Sequence, residues 1–378
     1  PEDSYHGEDI TERAGEFKAE FGDSYMSKSE EERRKALVEF ALPKNLQNMR
    51  SAMEKYRIDY DLWFSELTLH NGGELQETIE ILKKGGHTYE KDGALWYKNK
   101  DIQTTMLLEQ GKTREYIDKL ELKDDVLIRA NGNPTYFAAD IAYHRNKLLK
   151  RGFDKAIDVW GADHHGHVAR MKGAMRAVGL DESRLDILLM QFVRLVRDGE
   201  VVRMSKRTGK AITLSDLLDD CSIDVARFFF NMRMAGSPLD FGLELVVKED
   251  SDNPVYYVQY AHARICSILK LLAEEGVAVK KYSEIKPELL KEEAEINLLK
   301  KLADLPEEIK AAAVTREPAR MTRYVIELAT DFHSFYNSCR VKGCEEELTS
   351  ARLKLIESVK VVIEGVLSML KIDAPEKM

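Results

Sequence analysis

Four cations crowd into the eight residues Arg203-Met204-Ser205-Lys206-Arg207-Thr208-Gly209-Lys210, and the flanks make this stretch a loop between a strand and a helix. Upstream, the apolar run from Ile187 to Val196 meets Asp198-Gly199 and then Val201-Val202, which predicts a hairpin with a tight turn. Downstream, Thr213-Leu214-Ser215-Asp216 has the Ser/Thr-x-x-acid spacing of a capping box ahead of Leu217-Leu218, so a helix starts there. Ammonium, guanidinium, hydroxyl and backbone N–H donors can surround an anion, and the chemistry they suit is that of phosphate. A solvated basic turn or a nuclear-localisation run would need only the charges. The order Met-Ser-Lys, the glycine after it and the strand-to-helix placement favour the phosphate loop.

That order resembles the KMSKS loop of class I aminoacyl-tRNA synthetases, with Arg203 where the pattern has its first Lys. The chain of 378 residues is long enough for two or three domains. Its 57 Lys and Arg against 66 Asp and Glu give a net charge of −9, so any nucleic-acid surface must be local. No apolar run approaches a membrane span and no signal peptide is apparent, which predicts a cytoplasmic protein. Cys221, Cys266, Cys339 and Cys344 lack paired CxxC spacing, so neither a zinc site nor a disulfide framework is expected.

Along the chain, Glu8 to Phe21 and Glu30 to Tyr56 read as helices, the second capped by Ser29 with Glu32 and kinked or split at Pro43. Between Asp59 and Arg129, strand-like pieces at Leu62-Trp63-Phe64, Ala94 to Tyr97 and Val126 to Ile128 mix with helical ones at Leu75 to Lys84 and Gln103 to Leu122, as in a small α/β insertion. Tyr136 and Asp140 precede a helical pattern that runs to Leu149. Asp140 fits a helix cap or first-turn acid, and the pair also fits an acceptor for a cationic side chain; spacing alone favours the cap. Ala156 to Trp160, Gly161 and the helical spacing of Val168, Met171, Met175 and Val178 form a strand, a glycine turn and a helix, which places ligands at strand carboxyl ends. The run His164-His165-Gly166-His167 invites a metal, but no nearby acid or cysteine completes a ligand set. From Ser251 onward, apolar stripes predict a helical bundle, its first helix capped by Asn253 with Pro254 at the first position. Tyr256, Tyr257, Tyr260, His262, Arg264, Tyr336 and Arg340 add aromatic and cationic groups that suit core packing or stacking on unpaired bases.

Four segments together resemble the arginyl-tRNA synthetase family: Asp140 to His144, Val159 to His165, Met204 to Gly209 and Asp252 to Arg264, with Ala374 to Met378 similar to the family ending. The resemblance implies an α/β plus all-α protein. Residues 1–130 would be a helical segment and connective insertion, 131–248 the second half of a Rossmann-like nucleotide-binding fold, and 249–378 an anticodon-binding bundle. It implies a monomeric ligase that uses ATP with Mg2+ to join L-arginine to tRNA(Arg). Tyr136, Asp140 and His164 would hold arginine; Gly161, Asp163, Gln191, Val193 and Met204 would line ATP. Arg203, Ser205 and Lys206 would stabilise the reacting phosphate, and Tyr257, Ala261, Tyr336 and Met378 would surround the anticodon loop. In that family the HIGH motif follows the first strand of the nucleotide-binding fold, far ahead of KMSKS, whereas His164 to His167 lies just before it. A fragment lacking the HIGH half, impaired in adenylation, is therefore expected, and a non-catalytic tRNA-binding module is the alternative.

Overall fold

The structure is a computed structural model that describes residues 8–197, 199–201, 213–246, 248, 250 and 252–378. It opens on two helices, α1 (Glu8–Phe21) and α2 (Glu30–Lys55). The Ser29–Glu32 capping box that starts α2 is complete in both directions. Of the kink or split expected at Pro43, the split does not occur: α2 runs on through the proline, which can donate no helical hydrogen bond.

Next come α3 (Leu67–Asn71), α4 (Glu74–Lys84), β1 (Thr88–Lys91), β2 (Ala94–Tyr97), α5 (Asn99–Glu109), α6 (Arg114–Asp118) and β3 (Asp125–Ile128). The three strands form an antiparallel sheet in the order β1-β2-β3. Asp92 and Gly93, both at positive φ, make the two-residue turn that sets Lys91 opposite Ala94. Leu62-Trp63-Phe64 is irregular rather than a strand, because ring contacts replace a ladder there. Trp63 packs on Tyr60 and under the Arg50 guanidinium, while Phe64 stacks on Tyr143 at 4.5 Å.

Then follow α7 (Tyr136–Arg145), a π-helical turn at Asn146–Lys150, β4 (Ala156–Gly161), α8 (His165–Ala177), β5 (Leu185–Met190), β6 (Val193–Arg197) and β7 (Glu200–Val201). β4 and β5 pair in parallel, Ala156 with Leu185 through Gly161 with Met190. β6 and β7 form the expected hairpin, Arg197 facing Glu200 across a turn in which Gly199 has φ +76°. After α9 (Leu214–Asp220), whose Thr213–Asp216 capping box is formed, come α10 (Ile223–Asn231), β8 (Leu239–Gly242) and α11 (Leu243–Val246), with β8 parallel to β6. The bundle consists of α12 (Pro254–Glu274), α13 (Glu293–Thr315), α14 (Ala319–Ser338) and α15 (Glu346–Met369).

Buried side chains gather into two cores. One spans Leu69 to Leu185 and packs α4, α7 and α8 around the first sheet and the β4–β5 pair. The other runs from Leu217 to Ile372, so α9, α10 and β8 share their core with the bundle. Charged groups pin the two halves together. Arg57 bonds Asp224 at 2.7 Å and Asp373 at 2.8 Å, Arg227 bonds the carbonyls of Tyr56 and Leu370, and Arg316 reaches Asp186 on β5. The four cysteines are free thiols. No helix of the described residues is long and apolar enough to cross a membrane.

Candidate substrate cleft and nucleic-acid face

At the carboxyl ends of β4 and β5 the chain turns away twice, into Ala162–His164 before α8 and into Gln191-Phe192 before β6. Gly161 thus ends β4 with Asp163 just after it, and Gln191 and Val193 follow the end of β5, the Gln191 N–H donating to the Ala235 carbonyl. Met204, with Arg203, Ser205 and Lys206, lies outside the described residues.

Beside the end of β4 is a cleft of about 600 Å³ lined by Tyr136, Asp140, His164, His167, Arg170 and Trp160 among others. The three residues picked for a cationic side chain thus converge. Thr135, not Asp140, caps α7: its side chain accepts from the Ala138 N–H, and no acid lies in the first turn. Asp140 sits in the second turn with its carboxylate 43% exposed to the cleft, so the cap reading fails. Tyr136 is 79% exposed at the rim, and His164 leans on Trp160 with its Nε2 3.7 Å from Asp163.

Under the cleft lies a buried ionic cluster that sequence reasoning did not find. His144 Nδ1 is 2.7 Å from the Asp140 carbonyl and its Nε2 is 2.7 Å from Asp158 Oδ2, while Lys147 Nζ is 2.7 Å from Asp158 Oδ1. Both ring partners are acceptors, so both contacts are hydrogen bonds only when both ring nitrogens carry protons. Burial would push the Asp158 pKa up, but the hydrogen bonds and charges of His144 and Lys147 outweigh it and hold it at about 2. His144 and Lys147 stand three residues apart on one helical face, and that spacing was the available signal.

On the bundle, Tyr257, Tyr260 and Arg264 follow at spacings of three and four on α12 and meet His333 and Tyr336 of α14. The Arg264 guanidinium lies 4.6 Å from the Tyr260 ring centre and 4.5 Å from that of Tyr336, and donates to the Tyr260 hydroxyl. Tyr257 and His333 approach to 4.7 Å. Burial, reinforced by the Arg264 charge, lowers the His333 pKa and favours the neutral ring. Tyr336 is 42% exposed, so the cluster presents an aromatic and cationic face to solvent. Ala261 is fully buried; contrary to its assignment by resemblance, its methyl packs in the bundle core rather than facing a ligand. Met378 is half-exposed at the end of a tail tied to α12 through His262 and the Pro375 carbonyl.

A family described as the DALR anticodon binding domain matches residues 258–378. A Campylobacter jejuni protein assigned as an arginyl-tRNA synthetase superposes with TM-score 0.83 at 34% identity, over 100% of this chain and 77% of that one. The chain belongs to the arginyl-tRNA synthetase family. Arginine–tRNA ligases of Caldanaerobacter subterraneus subsp. tengcongensis and Ruminiclostridium cellulolyticum are 55% and 53% identical to it over its full 378 residues. The chain spans 64% of the length of each. The α/β plus all-α architecture with a helical anticodon-binding domain is therefore that of the family.

Proposed function

We propose that this chain serves the ATP-dependent joining of L-arginine to tRNA(Arg), as a cytoplasmic monomer, and that the cleft around Asp140 receives the arginine side chain. The observation that carries this is the convergence of Asp140, Tyr136 and His164 on one cleft beside the carboxyl ends of β4 and β5. A carboxylate matches the guanidinium fork, and the Tyr136 and His164 rings flank it at the rim of the cleft. In the first step the arginine carboxylate attacks the α-phosphate of ATP, held with Mg2+ as substrate, and pyrophosphate leaves. In the second a ribose hydroxyl of the terminal adenosine of tRNA attacks the activated carbonyl and AMP leaves. Lys206, with Arg203 and Ser205, would neutralise charge growing on the phosphate oxygens, and no side-chain nucleophile is required.

The 378 residues contain no HIGH-type run far ahead of the KMSKS-like loop. As a separate polypeptide they are expected to catalyse arginine-dependent ATP–pyrophosphate exchange at least about 100-fold more slowly than a full-length relative, the usual cost of losing one preorganised group that stabilises the transition state. Exchange at a comparable rate would refute this. The Arg264–Tyr336 face supports a second role that needs no chemistry, binding of the anticodon loop. Tyr336→Ala is expected to weaken tRNA(Arg) binding about 5- to 100-fold in a filter assay, in the range of one lost base stack. The loss should come with unchanged melting, since Tyr336 lies at the surface. Equal binding by the variant would remove the stacking role.

A further inference from the structure

The Asp140 carboxylate is connected through two side chains to the first sheet. His167, on α8, is wedged between the rings of Trp160 at 5.2 Å and Phe137 at 5.5 Å. Its Nδ1 lies 2.8 Å from an Arg170 guanidinium nitrogen, and its Nε2 lies 3.5 Å from Asp140 Oδ2. The other terminal nitrogen of Arg170 bonds Asp125 Oδ1 on β3 at 2.6 Å. A guanidinium has no lone pair to offer, so His167 Nδ1 must be the acceptor of that bond. The ring proton is thereby assigned to Nε2, which faces Asp140. Arg170 in turn is fixed at the Asp125 end, so the donor cannot swing away without leaving a partly buried carboxylate without its counterion.

We propose that His167, held as its Nε2–H tautomer by Arg170, is a positioning residue for Asp140. It supplies one donor to Oδ2 and leaves the rest of the carboxylate free to face a guanidinium in the cleft. At 3.5 Å the contact is longer than a full hydrogen bond, and a small turn of the exposed carboxylate closes it when a cation arrives. This rests on the reading of Asp140 as the guanidinium acceptor. The same histidine belongs to the run that suggested a metal by sequence; its lone pair is instead committed to Arg170, three residues further along the helix.

The test uses the 378-residue chain labelled with 15N-histidine, assigned by the signal that disappears in His167→Phe. Long-range 1H–15N correlation should show His167 with a bare, pyridine-like Nδ1 and a protonated Nε2. Titration with L-arginine, followed by chemical shift, then compares variants whose melting matches the parent. His167→Phe, which keeps the ring packing, should weaken arginine about 10-fold, as for a lost hydrogen bond to a charged group. His167→Gln, whose amide can accept from Arg170 and donate to Asp140, should recover to within about threefold of the parent. An Nδ1–H tautomer, or parental affinity in His167→Phe while Asp140→Asn still weakens binding, overturns the positioning role and leaves the cleft assignment intact. Parental affinity in Asp140→Asn, or no arginine binding by the parent chain, overturns the cleft assignment and the positioning role with it.

Discussion

Asp140→Asn is expected to weaken L-arginine binding about 10- to 100-fold, in the range of about 1.5–3 kcal/mol for a hydrogen bond to a charged group, since the carboxylate is partly exposed. The substitution keeps the shape and removes only the charge and one acceptor, so a ligand that does not exploit the charge should be indifferent to it. L-Citrulline, with a neutral urea in place of the guanidinium, is that ligand. The parent chain should prefer arginine strongly, and Asp140→Asn should bring the two close to equal. Because the carboxylate is partly exposed and caps nothing, melting should stay within about 0.5 kcal/mol of the parent, the usual range for surface changes. Isothermal titration with both ligands measures the preference. An unchanged preference for arginine would transfer the guanidinium to another part of the cleft.

Much of the fold was legible because local rules set it. The Thr213–Asp216 box, the Asp198-Gly199 turn and the Asn253-Pro254 start are short-range patterns, and α9, the β6–β7 hairpin and α12 begin where those patterns lie. The same rules misled at Leu62-Trp63-Phe64, where strand propensity gave way to ring packing against Tyr143, a residue about 80 positions away in sequence. They also passed over β1, although Asp92-Gly93 is the turn that a two-residue hairpin requires, because Thr88 to Lys91 is mostly polar. What sequence could not supply was pairing at a distance. His144 to Asp158, Arg170 to Asp125 and His167 to Asp140 each join different elements, and the identity of each partner depends on how α7, α8, β3 and β4 pack. Asp140 shows the consequence: its type and position suggested two roles, and only the observed Thr135 cap separated them.

Of the buried groups that shape the cleft, Asp158 should matter most to stability. Asp158→Asn leaves His144 and Lys147 without their shared counterion in a buried setting, and the expected loss is about 3 kcal/mol, the lower end for breaking a buried pair because Lys147 retains some access to solvent. The sign with pH follows from the carboxyl's pKa of about 2 in the folded chain, below its ordinary value of 3.8. A group whose folded pKa is depressed contributes stability above its unfolded pKa and loses it as pH falls through the folded one. The gap between parent and variant in urea melts should therefore be full above pH about 4 and shrink as pH falls toward 2. A gap that instead persisted unchanged at pH 2 would mean that Asp158 acts through shape rather than charge. Lys147→Met separates these causes further: in the Asp158→Asn background it removes one uncompensated cation, so the double variant should be more stable than the sum of the two single losses predicts. The coupling should exceed about 1 kcal/mol, since the two side chains are in direct contact at 2.7 Å. Arginine affinity should fall in Asp158→Asn as well, because His144 then loses the carboxylate that holds its ring against the Asp140 carbonyl, and the turn carrying the guanidinium acceptor is released from β4.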